Sequence, residues 1–225
     1  MDKVLLFDID GTLLDTSSFA EIARRGAIDV MIEHGLPSTQ NETYKLLKEI
    51  IAEYGSNYGK HFNILTERIC GKENPLLIAL GIATYHNIKF SLLKPFPKTV
   101  KTLIYLKDRG YRLGIISNGI TIKQWEKLIR LGIHDFFDEI VTSEEVGYEK
   151  PKKEIFEEAM KRMNSTPENS IMIGNVFETD IAGAMNIGMA SILINPNLDT
   201  KISDENLENF DIEIIDTINE LRNIL

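Results

Sequence analysis

Short apolar runs punctuate the chain, each closed by turn-forming or polar residues. They fall at 4–7, 113–116, 139–142, 171–173 and 191–194, with a weaker one at 212–215. Runs this short, apolar throughout rather than alternating, predict strands of a parallel sheet buried on both faces. Between them, apolar residues recur at helical spacing over 98–108, 122–130, 152–163 and 180–186. Strand–helix alternation predicts an α/β fold: a doubly wound, mainly parallel open sheet with right-handed crossovers. Trp125, Leu128 and Ile129 share a helical spacing that predicts core packing.

Residues 16–94 break the rhythm and contain no convincing strand. Helices are predicted over 17–33, with Ser17 and Ser18 as candidate N-caps, and over 41–54, 58–69 and 76–93. Pro95-Phe96-Pro97 marks the return to the sheet, because each proline disfavours helix in the residue before it. The expected organisation is an α/β core built from 1–15 and 96–225, with a helical domain inserted at 16–95.

In open α/β sheets, ligands bind outside the carboxyl ends of the strands. The first predicted strand is followed by Asp8-Ile9-Asp10-Gly11-Thr12, the second by Ser117-Asn118-Gly119. A loop after the third leads to Lys150-Pro151, and the fourth is followed by Gly174-Asn175-Val176-Phe177-Glu178-Thr179-Asp180. Carboxylates, a hydroxyl, an amide and an ammonium are thus expected in one crevice. Asp8 and Asp10, two apart on an extended chain, point the same way. An EF-hand loop is excluded, since Gly stands fourth from Asp8 where that loop needs it sixth.

Composition narrows the function. The chain has 225 residues, 25 Lys plus Arg against 34 Asp plus Glu, and a formal net charge of −9. That balance suits a globular protein and argues against a nucleic-acid or anionic-membrane binder, both of which need a basic face. No apolar run approaches the ~18 residues of a membrane span. Residues 4–7 run straight into Asp8 and lack the longer apolar core of a signal peptide. A single Cys excludes a disulfide scaffold, so a cytoplasmic setting is expected. Cys70 is expected as a small core residue. No dinucleotide or P-loop glycine pattern is present, and His34, His61, His86 and His134 lack metal-ligand spacing.

The four segments, in this order, resemble the four motifs of the haloacid dehalogenase-like superfamily, in its phosphatase branch with a helical cap. The resemblance spans the whole chain. It implies Asp8 as a nucleophile that becomes an aspartyl-phosphate, and Asp10 as the acid and then base that serves the leaving alkoxide and the water. It implies Lys150 as the lysine that orients the nucleophile and balances the phosphate. Ser117, Asn118 and Gly119 would bind the phosphate, the latter two through backbone N–H groups. Mg²⁺ would be held by Asp8, the Asp10 carbonyl, Asn175 and Asp180. The implied partner is a small phosphorylated metabolite, with glyceraldehyde 3-phosphate the best single candidate, acted on by a monomer or homodimer.

One position departs from the pattern. Family phosphatases carry Gly-Asp where this chain has Gly174-Asn175, which removes one negative charge from the expected metal shell. Two alternatives follow: a metal-independent 2-haloacid dehalogenase, or a phosphate-binding protein with weakened catalysis. The dehalogenases lack the second Asp of the first motif, and this chain keeps Asp10. The resemblance further implies a cap that closes over the crevice and excludes water, with hinges near Asp15-Thr16 and Pro95-Phe96-Pro97.

Overall fold

The computed structural model describes residues 3–194 and 212–225, without the side chains of Ser17 and Ser18. The expected capping by those two serines therefore lies outside the described residues. The chain divides into two compact units, one of Thr16–Leu93 and one of the segments before and after it.

The first unit is helical: α1 (Ser17–Glu33), α2 (Gln40–Tyr54), α3 (His61–Cys70) and α4 (Pro75–Leu92). Local chemistry sets the starts. Thr39 caps α2 by accepting from the Glu42 N–H, and Glu42 answers with a contact to the Thr39 N–H at 3.3 Å. That reciprocal pair satisfies two donors an open helix start would orphan. α4 begins with Pro75 behind Asn74, whose Oδ1 accepts from the Leu77 N–H at 3.3 Å. Ala27, Met31, Leu47, Ile50, Leu65 and Leu77 form the centre of this unit's own core. Cys70 packs at the margin of that core, half-buried rather than inside it.

The second unit holds the sheet. Among the described residues its strands are β1 (Val4–Phe7), β2 (Arg112–Ser117), β3 (Glu139–Thr142), β4 (Ser170–Gly174), β5 (Ala190–Ile194) and β6 (Glu213–Ile215). Their order is β3-β2-β1-β4-β5-β6, and every neighbouring pair runs parallel. This is an α/β fold with a parallel open sheet. The helices are α5 (Thr99–Asp108), α6 (Thr121–Arg130), α7 (Ser143–Val146), α8 (Lys153–Arg162), α9 (Ala182–Met185) and α10 (Leu221–Ile224). All of β1 is buried, and Leu6 lies in register with Gly114 on one side and Met172 on the other. Ile155, Phe156, Ala159 and Met163 of the α8 region pack on Val4, Leu6, Ile116 and Met172. Because strand order reverses between β1 and β4, the crevice of the sheet opens at their carboxyl ends.

Two expectations need correction. Leu128 is fully buried, but Trp125 is 38% and Ile129 54% exposed, and Ile122 continues that outer face. The core-facing side of α6 is carried by Gln124 and Leu128 instead. Helical spacing alone does not tell an inner apolar stripe from an outer one. The helix expected over 180–186 begins with a π-helical turn at Phe177–Ile181 before α9. That turn shapes the site.

Candidate active site

The Asp8 N–H donates to the Ile173 carbonyl at 2.9 Å, carrying the β1–β4 ladder one step past the strand. The chain then turns. Gly11 adopts φ +88°, a left-handed value that suits glycine, and its N–H donates to the Leu14 carbonyl at 2.8 Å. A Cβ on Gly11 would collide with the side-chain amide of Asn175. The glycine therefore lets the loop after β4 close against the loop after β1. Thr12, buried, fixes that contact by donating from Oγ1 to Asn175 Oδ1 at 3.2 Å.

The π-helical turn after β4 folds Asp180 back over the strand end. Its Oδ2 accepts from the N–H groups of Asn175 and Val176 at 3.1 and 3.0 Å. Gly174 makes room, since a Cβ there would fall on Cβ and Cγ of Asp180. The other oxygen, Oδ1, meets Lys150 Nζ at 2.7 Å, and the same Nζ donates to Asp8 Oδ1 at 2.6 Å. A third bond from Nζ, 2.9 Å to the Ile116 carbonyl, satisfies the ammonium. Only 2% of the Lys150 side chain is exposed.

The second motif holds the lysine's backbone. Asn118 donates from Nδ2 to the Lys150 carbonyl at 3.1 Å and accepts from the Lys150 N–H at 2.8 Å. Its own carbonyl is held by Gln124 Nε2 at 3.0 Å. Ser117 lies buried at the end of β2. The Gly119 N–H donates to Ser143 Oγ at 2.9 Å. Gly119 thus departs from the expected phosphate contact: a structural hydroxyl from α7 already occupies its donor.

Charge sets the character of the cluster. Burial pushes the Asp8 carboxyl up to about 6; Lys150 opposes that rise, and Asp180 and Asp10 add to it. Burial also works against the Lys150 charge, yet Asp8 and Asp180 outweigh it and hold its pKa above the ordinary lysine value. With Lys150 charged, two carboxylates face one ammonium away from water. Such an imbalance is costly unless another cation answers it.

Of the expected site residues, the structure brings Asp8, Lys150 and Asp180 into direct contact and sets Asn118 on Lys150. Asn175 touches Thr12 and lies against Gly11. Asp10 engages a residue the sequence reading did not single out: Lys127 Nζ lies 2.7 and 2.6 Å from its two carboxylate oxygens. Thr12, Gln124 and Ser143 are likewise unforeseen partners. Nothing in the sequence separates Lys127 from Lys123 on the same helix. Only the register of α6 against the first loop does.

The donor set bears on a metal. Asp8, the Asp10 carbonyl, Asn175 and Asp180 offer oxygen only, which suits a hard cation such as Mg²⁺. The buried excess of negative charge fits the same ion. Among the described residues, no group of three or more His, Cys, Asp or Glu side chains gathers as a cage.

Residues 5–194 match the family model described as haloacid dehalogenase-like hydrolase. A protein of Methanothermobacter thermautotrophicus named glyceraldehyde 3-phosphate phosphatase is 62% identical over 226 aligned residues, covering 100% of both chains. A protein of the same name from Methanocaldococcus jannaschii is 45% identical over 99% of each. Among solved structures, a protein of Thermococcus onnurineus described as a HAD phosphatase superposes with a TM-score of 0.70 at 27% identity, over 99% of this chain and 97% of that one.

Proposed function

The chain belongs to the haloacid dehalogenase-like hydrolases, and on that premise we propose that Asp8 carries the phosphoryl group during hydrolysis of a small phosphomonoester. The protein is a phosphoric monoester hydrolase. Glyceraldehyde 3-phosphate is the substrate, a reading supported by the shared name of its full-length relatives. The observation that carries the mechanism is Lys150 Nζ set between Asp8 and Asp180 at 2.6 and 2.7 Å.

The steps follow from charge. A carboxylate oxygen of Asp8 forms a bond to phosphorus while the ester bond breaks. Asp10 gives its proton to the departing alkoxide, takes one from water, and so drives the water onto the aspartyl-phosphate. A carboxylate facing a phosphoryl charge at ~4 Å is opposed by about 4 kcal/mol at an effective dielectric of 20. Left unanswered, that is about a thousandfold in rate. Lys150 answers part of it, and its clamp by Asn118 keeps it there without reorganisation. Mg²⁺ held by Asp8, the Asp10 carbonyl, Asn175 and Asp180 would supply the remaining positive charge. Ser117 and the Asn118 N–H are assigned to the phosphate oxygens.

We assign residues 16–95 as the cap domain and give it the choice of leaving group, a reading that the family resemblance supports. Among the described residues no helix is long and apolar enough to cross a membrane. A single Cys favours a reducing compartment, so the same reading places a monomer or homodimer in the cytoplasm.

The test is phosphate release across a panel of triose and sugar phosphates, with and without chelator. Release that chelation abolishes and Mg²⁺ restores supports the whole reading. Release indifferent to chelation removes the metal. Chloride release from a 2-haloacid without phosphate release makes the protein a dehalogenase, and phosphate binding without turnover makes it a binder.

A further inference from the structure

Lys127 takes no part in the mechanism above, yet it makes a two-point contact with the residue that handles the proton. Its Nζ sits 2.7 Å from Asp10 Oδ1 and 2.6 Å from Oδ2, across 117 positions of sequence. We propose that Lys127 is the positioning residue of Asp10: it fixes the plane of the carboxyl group so that its proton meets the leaving oxygen. This inference rests on the phosphatase reading.

An ordinary surface ion pair is the rival account, and such pairs do little. Three observations separate this one. The Lys127 side chain is only 14% exposed, against 64% for Lys153 in the i, i+4 pair with Glu157. Helix α6 is anchored on both sides of Lys127: Leu128 is fully buried, and Gln124 Nε2 holds the Asn118 carbonyl at 3.0 Å. Asn118 in turn clamps Lys150, so one helix bears on both lysines of the site. Asp10 also needs such a hold. It sits at the bend that follows Asp8, and without a partner its short carboxyl side chain would turn about two bonds. An ammonium astride both oxygens removes that freedom while occupying one lone pair on each, which leaves the outward pair for the proton.

The proton matters only when the leaving group needs it. An alkyl phosphomonoester must release an alkoxide, so the Asp10 O–H bond breaks as the ester bond does. p-Nitrophenyl phosphate releases a stable phenolate without help. A disordered Asp10 therefore slows the first and spares the second. The comparison is made in kcat/KM, which stops at ester cleavage, so hydrolysis of the shared aspartyl-phosphate drops out.

Lys127→Met should lower kcat/KM roughly 30-fold on the alkyl ester that the wild type cleaves best, a part of the 10²–10⁴ a positioned acid provides. On p-nitrophenyl phosphate the loss should stay below about threefold. Lys127→Gln, neutral with a similar stem, must show the same split and guards against a folding defect in the Met variant. Lys127→Arg should regain most of the alkyl-ester rate. Asp10→Asn combined with Lys127→Met should be no slower than Asp10→Asn alone. Equal losses on both esters, or no loss on the alkyl ester, would overturn the proposal. A wild type that cleaves neither ester overturns the phosphatase reading first and this inference with it.

Discussion

Lys150→Met isolates the electrostatic core of the argument. The substitution keeps a long stem and deletes a charge that lies 2.6 Å from Asp8 and 2.7 Å from Asp180, with 2% of the side chain exposed. Removing one partner of a buried pair typically costs about 3–5 kcal/mol, because the other charge is left unanswered. Here the cost must depend on pH. With Lys150 present, burial holds the Asp8 carboxyl at about 6, so it is ionised in the folded protein above that value. Lys150 is the influence that lowers it; burial, Asp180 and Asp10 all raise it. In the variant Asp8 stays protonated to higher pH while the unfolded chain has long released that proton. The folded variant then binds up to one more proton than the unfolded chain, and its stability falls with rising pH by up to about 1.4 kcal/mol per unit. The wild type shows no such slope from this group above about 6. The assay is urea unfolding of both proteins in chelator at pH 5, 6, 7 and 8. The gap between them should widen steadily from pH 6 to pH 8, and phosphatase activity should fall about a thousandfold or more. A destabilisation that is flat across this range would refute the reasoning, because it would mean a packing defect rather than a buried, uncompensated pair of like charges.

Three further outcomes follow from the same geometry. Asp8→Asn should abolish turnover and, in chelator, raise stability above pH 6 by up to about 3 kcal/mol. The folded Asp8 pKa of about 6 against an ordinary 3.8 makes its ionisation unfavourable to the fold, a cost that grows between those values and that Asn escapes; thermal unfolding across pH 4–8 reads it. Gly174→Ala should cut kcat at least tenfold while leaving the circular dichroism spectrum intact, since its Cβ would fall on Asp180 and push that carboxylate off Lys150. Asn175→Asp should lower the Mg²⁺ concentration needed for half-maximal activity, followed by titration into chelated enzyme; an unchanged requirement would remove residue 175 from the metal shell.

What was legible in the sequence divides along physical lines. Strands buried on both faces must be apolar throughout, so 4–7 and 171–173 declare β1 and β4 directly. Asp8, Lys150 and Asp180 were legible because each sits at a fixed offset from such a strand, and the family resemblance gave those offsets a chemistry. Side chains that act through a helix's rotation were not. Lys127 and Trp125 lie two residues apart on α6; one reaches Asp10 and the other faces outward, and periodicity supplies no zero for the angle. The commitment of the Gly119 N–H to Ser143 was hidden for a related reason, since it depends on how closely α7 approaches the loop after β2. The π-helical turn at Phe177–Ile181 was hidden because its cause is local closure by one carboxylate, Asp180, rather than any apolar repeat.

The exchange at Asn175 acquires a meaning from this arrangement. Its Oδ1 accepts from Thr12 and keeps a second lone pair, while the oxygens of Asp180 accept from Lys150, Thr179 and two backbone N–H groups. An Asp at 175 would put a third carboxylate beside Asp8 and Asp180, with Lys150 still, among the described residues, the ammonium that touches that pair. Every uncompensated carboxylate ~4 Å from an incoming phosphoryl oxygen opposes it by about 4 kcal/mol per charge pair at a dielectric of 20. Asn keeps an oxygen donor for a hard cation and drops that repulsion, so metal affinity and substrate affinity are set against each other at one position. Asn175→Asp should therefore tighten Mg²⁺ and raise KM for the phosphomonoester at saturating metal. Measuring both in one variant separates this account from a simple loss of metal affinity, under which KM at saturation would not move.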